Sequence, residues 1–79
     1  MLRIKDMRED KDMVQKDVAK ILNTTQTNYS KYELGKINIP MNALMKMALI
    51  YDTSIDFLLG LTDVSKPYPR KIKSVKDIK

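Results

Sequence analysis

The sequence predicts an all-α domain of five short helices followed by an extended basic C-terminal tail. Three observations carry that expectation. Apolar residues recur at helical spacing over about the first 60 positions, and no stretch alternates as a strand would. Asn23, Gly35, Pro40 and Gly60 punctuate those stretches, and residues of these types end or begin helices. A chain of 79 residues with two glycines and 43% hydrophobic side chains suits one compact helical unit, near the size at which a single core is marginal.

The elements follow in order. Leu2 to Asp10 reads as the first helix, with Ile4 and Met7 spaced to face a core. Asp10-Lys11-Asp12 is a polar turn, and Met13 is an apolar plug before a second helix at about Gln15 to Leu22. Val18, Ala19 and Leu22 form the inner stripe of that helix, and the small Ala19 allows a close neighbour. Asn23 suits a left-handed turn. Thr25 can then cap a third helix, which Gly35 ends.

The third helix has a chemically divided surface. At about 100° per residue, Gln26, Thr27, Ser30, Lys31 and Leu34 share one arc. Tyr29, Tyr32 and Glu33 fall opposite, with Asn28 at the border. Such a helix packs inward by its tyrosines and offers an amide, hydroxyls and an ammonium outward. The short joint between the second and third helices has the dimension of a helix-turn-helix.

Pro40 marks the entry to a fourth helix, about Met41 to Tyr51, where Met41, Leu44, Ala48 and Tyr51 follow core spacing. Met45, Met47, Leu49 and Ile50 leave it almost no polar face. Either the core is loosely packed or that face takes a partner. Thr53-Ser54-Ile55-Asp56 has capping-box spacing, and a fifth helix runs to about Leu59, burying Ile55 and Leu58 before Gly60 stops it. Lys66-Pro67-Tyr68-Pro69 is extended by its prolines.

Composition removes several function classes. Without cysteine or histidine there are no disulfides, no thiolate nucleophile and neither of the commonest metal ligands. No Gly-rich phosphate loop or acid/base couple is present, so no enzyme, metal site or cofactor is expected. No apolar run approaches the ~20 residues that span a bilayer, and no signal-peptide pattern opens the chain. A cytoplasmic protein with no membrane contact is the expectation. The net charge of +5 resides wholly in residues 66–79, since the nine basic and nine acidic side chains before them cancel. That tail is either a solvated terminus or a polybasic arm for phosphate.

Gln15-Lys16-Asp17-Val18-Ala19, the Asn23 turn, Tyr29-Ser30-Lys31-Tyr32-Glu33-Leu34-Gly35-Lys36 and Thr53-Ser54-Ile55-Asp56-Phe57-Leu58-Leu59 together resemble the Cro/repressor-type helix-turn-helix family, often called XRE. The likeness covers residues 2–61, leaving 62–79 as the tail. It implies a five-helix, lambda-repressor-like DNA-binding domain of phage or bacterial type, acting as a homodimer on a palindromic operator. The family's base-reading positions correspond to Gln26, Thr27 and Lys31, with Ser30 between them. Its phosphate-contacting positions correspond to Gln15, Thr25, Asn28, Lys36 and Asn38, and Arg8 with Glu33 matches a salt bridge between the first and third helices. Val14 stands where the family often has a capping Thr or Ser, and Leu34 replaces a commoner polar residue.

The resulting expectation is a sequence-specific transcriptional regulator, a repressor, that binds double-stranded DNA and dimerises through its fourth or fifth helix. The alternative is an antitoxin or adaptor that holds a protein partner through the fourth helix or tail and regulates its own operon.

Overall fold

The computed structural model of the protein describes residues 2–78. Its helices are α1 (Ile4–Asp10), α2 (Gln15–Ile21), α3 (Gln26–Leu34), α4 (Met41–Ile50) and α5 (Ile55–Leu58), with a 3-10 turn at Val75–Asp77. Among the described residues there is no strand. None of these helices is long and apolar enough to cross a membrane.

One core serves all five helices. Ile4, Val18, Tyr29, Met47, Tyr51 and Leu58 are fully buried, with Met7, Ala19, Leu22, Tyr32, Ala43 and Ala48 around them. The rings of Tyr29 and Tyr32 meet edge to face at 6.3 Å. The hydroxyls of Tyr29 and Tyr51 bond each other at 2.7 Å, so each buried phenol satisfies the other. α2 packs on α3, α1 on α3, and α4 on α5.

Three local expectations are corrected. Met41 does not join the core and is 76% exposed. The centre of α4's inner face is the row Ala43, Met47 and Tyr51, spaced four apart, which leaves Met41 out on the rim. At α5 the cap is Ser54, whose Oγ accepts from the Phe57 N–H at 3.0 Å. Thr53 stands one residue before the cap position, and its hydroxyl donates to the Ser65 carbonyl at 2.6 Å. α1 likewise starts at Ile4 and not at Leu2: the Arg3 N–H is committed to the Leu58 carbonyl at 2.8 Å, across the core.

The five helices end in one way. Asp12, Asn23, Gly35, Asp52 and Gly60 all have φ between +52° and +77°. The N–H after each returns to a carbonyl five residues back: Met13 to Arg8, Thr24 to Ala19, Lys36 to Lys31, Thr53 to Ala48 and Leu61 to Asp56. These left-handed closures satisfy last-turn carbonyls and reverse the chain within a residue or two.

The segment beyond Leu61 is extended, and it lies along α4 and α5. Arg70 enters the last turn of α4, where one guanidinium nitrogen donates to the carbonyls of Ala48 at 3.1 Å and Thr53 at 3.0 Å. The other reaches Asp52 at 3.3 Å. Tyr68 donates to Asp56 at 3.1 Å, and Ile78 is buried at the end of this strap. An apolar depression of about 260 Å³ remains between Met45, Leu49, Ile55, Ile72 and Ile78. Lys66, Lys71, Lys73 and Lys76 stay on the exposed side; Lys79 lies outside the described residues.

Arg70→Ala removes a charged donor from two backbone carbonyls at the end of α4. It is expected to lower unfolding free energy by about 1–3 kcal/mol, read from urea denaturation, and to raise the hydrogen-exchange rate of the Ile78 amide.

Candidate nucleic-acid interface

The turn before α3 fixes how that helix is presented. Leu22 ends α2, Asn23 turns left-handed at φ +58°, and Thr25 caps α3 by accepting from the Asn28 N–H at 3.0 Å. Tyr29 and Tyr32 then point inward, and the opposite arc faces solvent. Gln26, Thr27 and Lys31 are exposed and Ser30 is half-buried.

The arc borders an open depression of about 440 Å³, lined by Gln15, Gln26, Thr27, Ser30, Lys31, Leu34 and Lys36. The expected base-reading residues therefore share one concavity with the first residue of α2 and the start of the α3–α4 loop. Thr25, Asn28 and Asn38 lie outside its lining. Asn28 is also engaged internally: its amide donates to the Thr24 hydroxyl at 2.8 Å and the Tyr32 hydroxyl at 3.1 Å. Asn38 and Lys36 are exposed in the loop after Gly35.

Beneath the depression sits one carboxylate. The Glu33 side chain is 4% exposed and takes Arg8 Nε at 2.6 Å, joining α1 to α3. Arg8 also donates to the Met13 carbonyl at 2.9 Å, which ties the α1–α2 turn to the same point. Gln15 Nε2 donates to Glu33 Oε1 at 2.9 Å. Burial by itself pushes the Glu33 carboxyl up, but the hydrogen bonds from Arg8, Gln15 and Tyr29 outweigh it and leave the group below its ordinary 4.5. The bond to Glu33 raises the Arg8 guanidinium further. Burial pushes Tyr51 up to about 12 and Tyr29 well above its ordinary value, so both phenols stay protonated.

The Gln15–Glu33 and Thr24–Asn28–Tyr32 links were not anticipated. The second had a signal, because Thr24, Asn28 and Tyr32 stand four apart and so on one helical face. The first joins positions 15 and 33 across two helices and has no local signature.

Chemically, the exposed arc offers an amide with both donor and acceptor, two hydroxyls, a threonine methyl and an ammonium on one helical face. That set matches the donors, acceptors and methyl groups displayed along the DNA major groove. Among the described residues, no group of three or more Asp or Glu side chains is placed to hold a metal ion.

A helix-turn-helix family model matches residues 4–58. Among proteins of Bacillus subtilis strain 168, the chain is 36% identical over 64 residues to the HTH-type transcriptional regulator ImmR, covering 81% of this chain and 50% of that protein. It is 39% identical over 57 residues to the SPbeta prophage-derived uncharacterized HTH-type transcriptional regulator YonR, covering 72% and 53% respectively. To the uncharacterized HTH-type transcriptional regulator YobD it is 29% identical over 65 residues, covering 82% and 58%. The chain thus spans between half and three fifths of the length of these relatives. No solved structure matches it.

Because Glu33 is held below its unfolded value, its contribution is complete above about pH 4.5 and is lost as pH falls through the lower folded value. Thermal unfolding across pH 2–7 should therefore show an acid limb that Glu33→Gln flattens. Glu33→Ala strands the Arg8 charge and is expected to cost about 3–5 kcal/mol at pH 7, measured by urea unfolding.

Proposed function

The chain belongs to the helix-turn-helix family, and from that premise we propose that it is a transcriptional regulator that binds duplex DNA and reads the major groove with α3. The observation that carries this is the outward arc of α3. Gln26, Thr27, Ser30 and Lys31 line one open depression together with Gln15 and Lys36, while both tyrosines of the helix are buried. Solvation alone does not require polar residues from three separate segments around one concavity.

In this reading Gln26 contacts adenine through both ends of its amide, Lys31 donates to guanine O6 or N7, and the Thr27 methyl meets thymine. Ser30 is small enough to let the helix sit deep. Gln15, Thr25, Asn28, Lys36 and Asn38 hold the phosphates, which fixes register without selecting sequence. For Asn28 this requires one amide hydrogen to leave Thr24 or Tyr32 for the phosphate, because its backbone N–H is already held by Thr25. Two copies joined through α4 or α5 place their reading helices about one DNA turn (~34 Å) apart on a palindromic operator. Occupancy of such a site blocks transcription, and the protein acts as a repressor. The regulator names of ImmR, YonR and YobD support the class, and their greater length leaves the regulatory logic of a whole protein outside the likeness.

The variant Gln26→Ala/Lys31→Ala is expected to keep the helical circular dichroism and melting temperature of the native chain. Its ratio of specific to non-specific DNA affinity should fall by tenfold or more, since each good base contact contributes about 1–3 kcal/mol of discrimination. Fluorescence anisotropy with a selected duplex and a scrambled one measures both affinities. Unchanged discrimination by the folded variant removes these side chains from the readout.

A further inference from the structure

Gln15 opens α2, but its side chain is held by α3. Nε2 donates to Glu33 Oε1 at 2.9 Å, and the same residue lines the depression beside Gln26, Ser30 and Lys31. A carboxamide carries donors on one end and an acceptor on the other, and a free one turns either way. An ionised carboxylate only accepts. Glu33 therefore selects the amino end of Gln15 and leaves its second N–H for an acceptor outside the protein. Arg8, at 2.6 Å from Glu33, neutralises the carboxylate, so the group that orients Gln15 does not repel an approaching anion.

We infer that Glu33 is a positioning residue for phosphate contact by Gln15: the buried carboxylate locks the carboxamide with a free donor presented to the DNA backbone. The inference rests on the duplex-binding reading above. A side chain already held in its binding orientation escapes the ordering cost that a free one carries into a complex. A phosphate oxygen asks only for a donor, which is what the locked amide supplies. The arrangement also fixes α2 and α3 in one register, because the same carboxylate serves both.

The test is a double-mutant comparison. Gln15→Ala is made in the native chain and in Arg8→Met/Glu33→Met, which replaces both charges with apolar groups of similar length and strands neither. Affinities for a selected duplex and an unrelated one are measured at a single salt concentration. In the native background Gln15→Ala should weaken both duplexes by about tenfold, uniformly, as loss of a phosphate contact does. In Arg8→Met/Glu33→Met the same change should cost less than about twofold, because the amide is no longer held. Equal factors in the two backgrounds overturn the inference, as does a native chain indifferent to Gln15→Ala. Those results leave sequence-specific binding intact, whereas a native chain that binds no duplex overturns both readings. A second measurement needs no variant. In nitrogen-15 spectra of the native protein, one Gln15 carboxamide proton should exchange with water several-fold more slowly than those of Gln26. Indistinguishable exchange at the two amides also overturns the inference.

Discussion

The Glu33 carboxylate is the joint on which this molecule turns. It stands on the inner side of α3, almost wholly out of water, and receives Arg8 from α1 and Gln15 from α2. Removing a carboxylate from water is costly, and a buried pair does not by itself add net stability. What it adds here is geometry. Packing of Tyr29 and Tyr32, with the Tyr29–Tyr51 hydroxyl bond, holds α3 against the core and α4, and the Glu33 bonds add directional ties to α1 and α2. The rotational setting of α3 decides which residues face outward, so the composition of the exposed arc follows from a contact at its buried edge, one helical repeat from Gln26.

The rest of the fold makes a short chain behave as a larger one. Five helices of four to ten residues cannot persist alone in water. Each is closed by a left-handed residue that returns two N–H groups to its last turn, and the next element begins at once. Arg3 binds the end of α5 through its backbone, through the Phe57 and Thr62 carbonyls and through Asp63, with its guanidinium 4.2 Å above the Phe57 ring. Arg70 does the corresponding work at the end of α4. A cation at a helix C-terminus adds a second donor to last-turn carbonyls and meets the negative end of the helix dipole. Of the basic groups in the segment after Ser65, this one is spent on the fold, and four lysines remain at the surface.

Much of this was legible in the sequence because it is local. Glycine and asparagine marked three of the five helix ends, and the spacing of Ile4, Met7, Val18, Ala19, Leu22, Tyr29, Tyr32 and Leu58 marked the inner faces. Asp12 and Asp52 end helices in the same conformation and gave no warning, since aspartate is as common in ordinary polar turns. Met41 falls outside the core because helical spacing fixes which residues share a face and not how far along the axis the partner extends. Ser54 and Thr53 exchanged roles through a bond from Thr53 to Ser65, twelve residues away. In the sequence the strap is only a charge excess: its two prolines and scattered lysines carry no helical or strand periodicity, and only the carbonyls at the end of α4 reveal a function for Arg70. The residues around the α3 depression were the most accessible of all, since one helical arc contains most of them.

The central claim is that the outward arc of α3, set by Glu33, reads a DNA sequence. Its most direct test is selection of the native chain against a random duplex pool at fixed salt, followed by sequencing of the retained DNA. The account predicts enrichment of a defined element repeated in inverted orientation, with half-site centres about ten base pairs apart. A retained pool with no enriched sequence, held only by attraction that fades as salt rises, would contradict it.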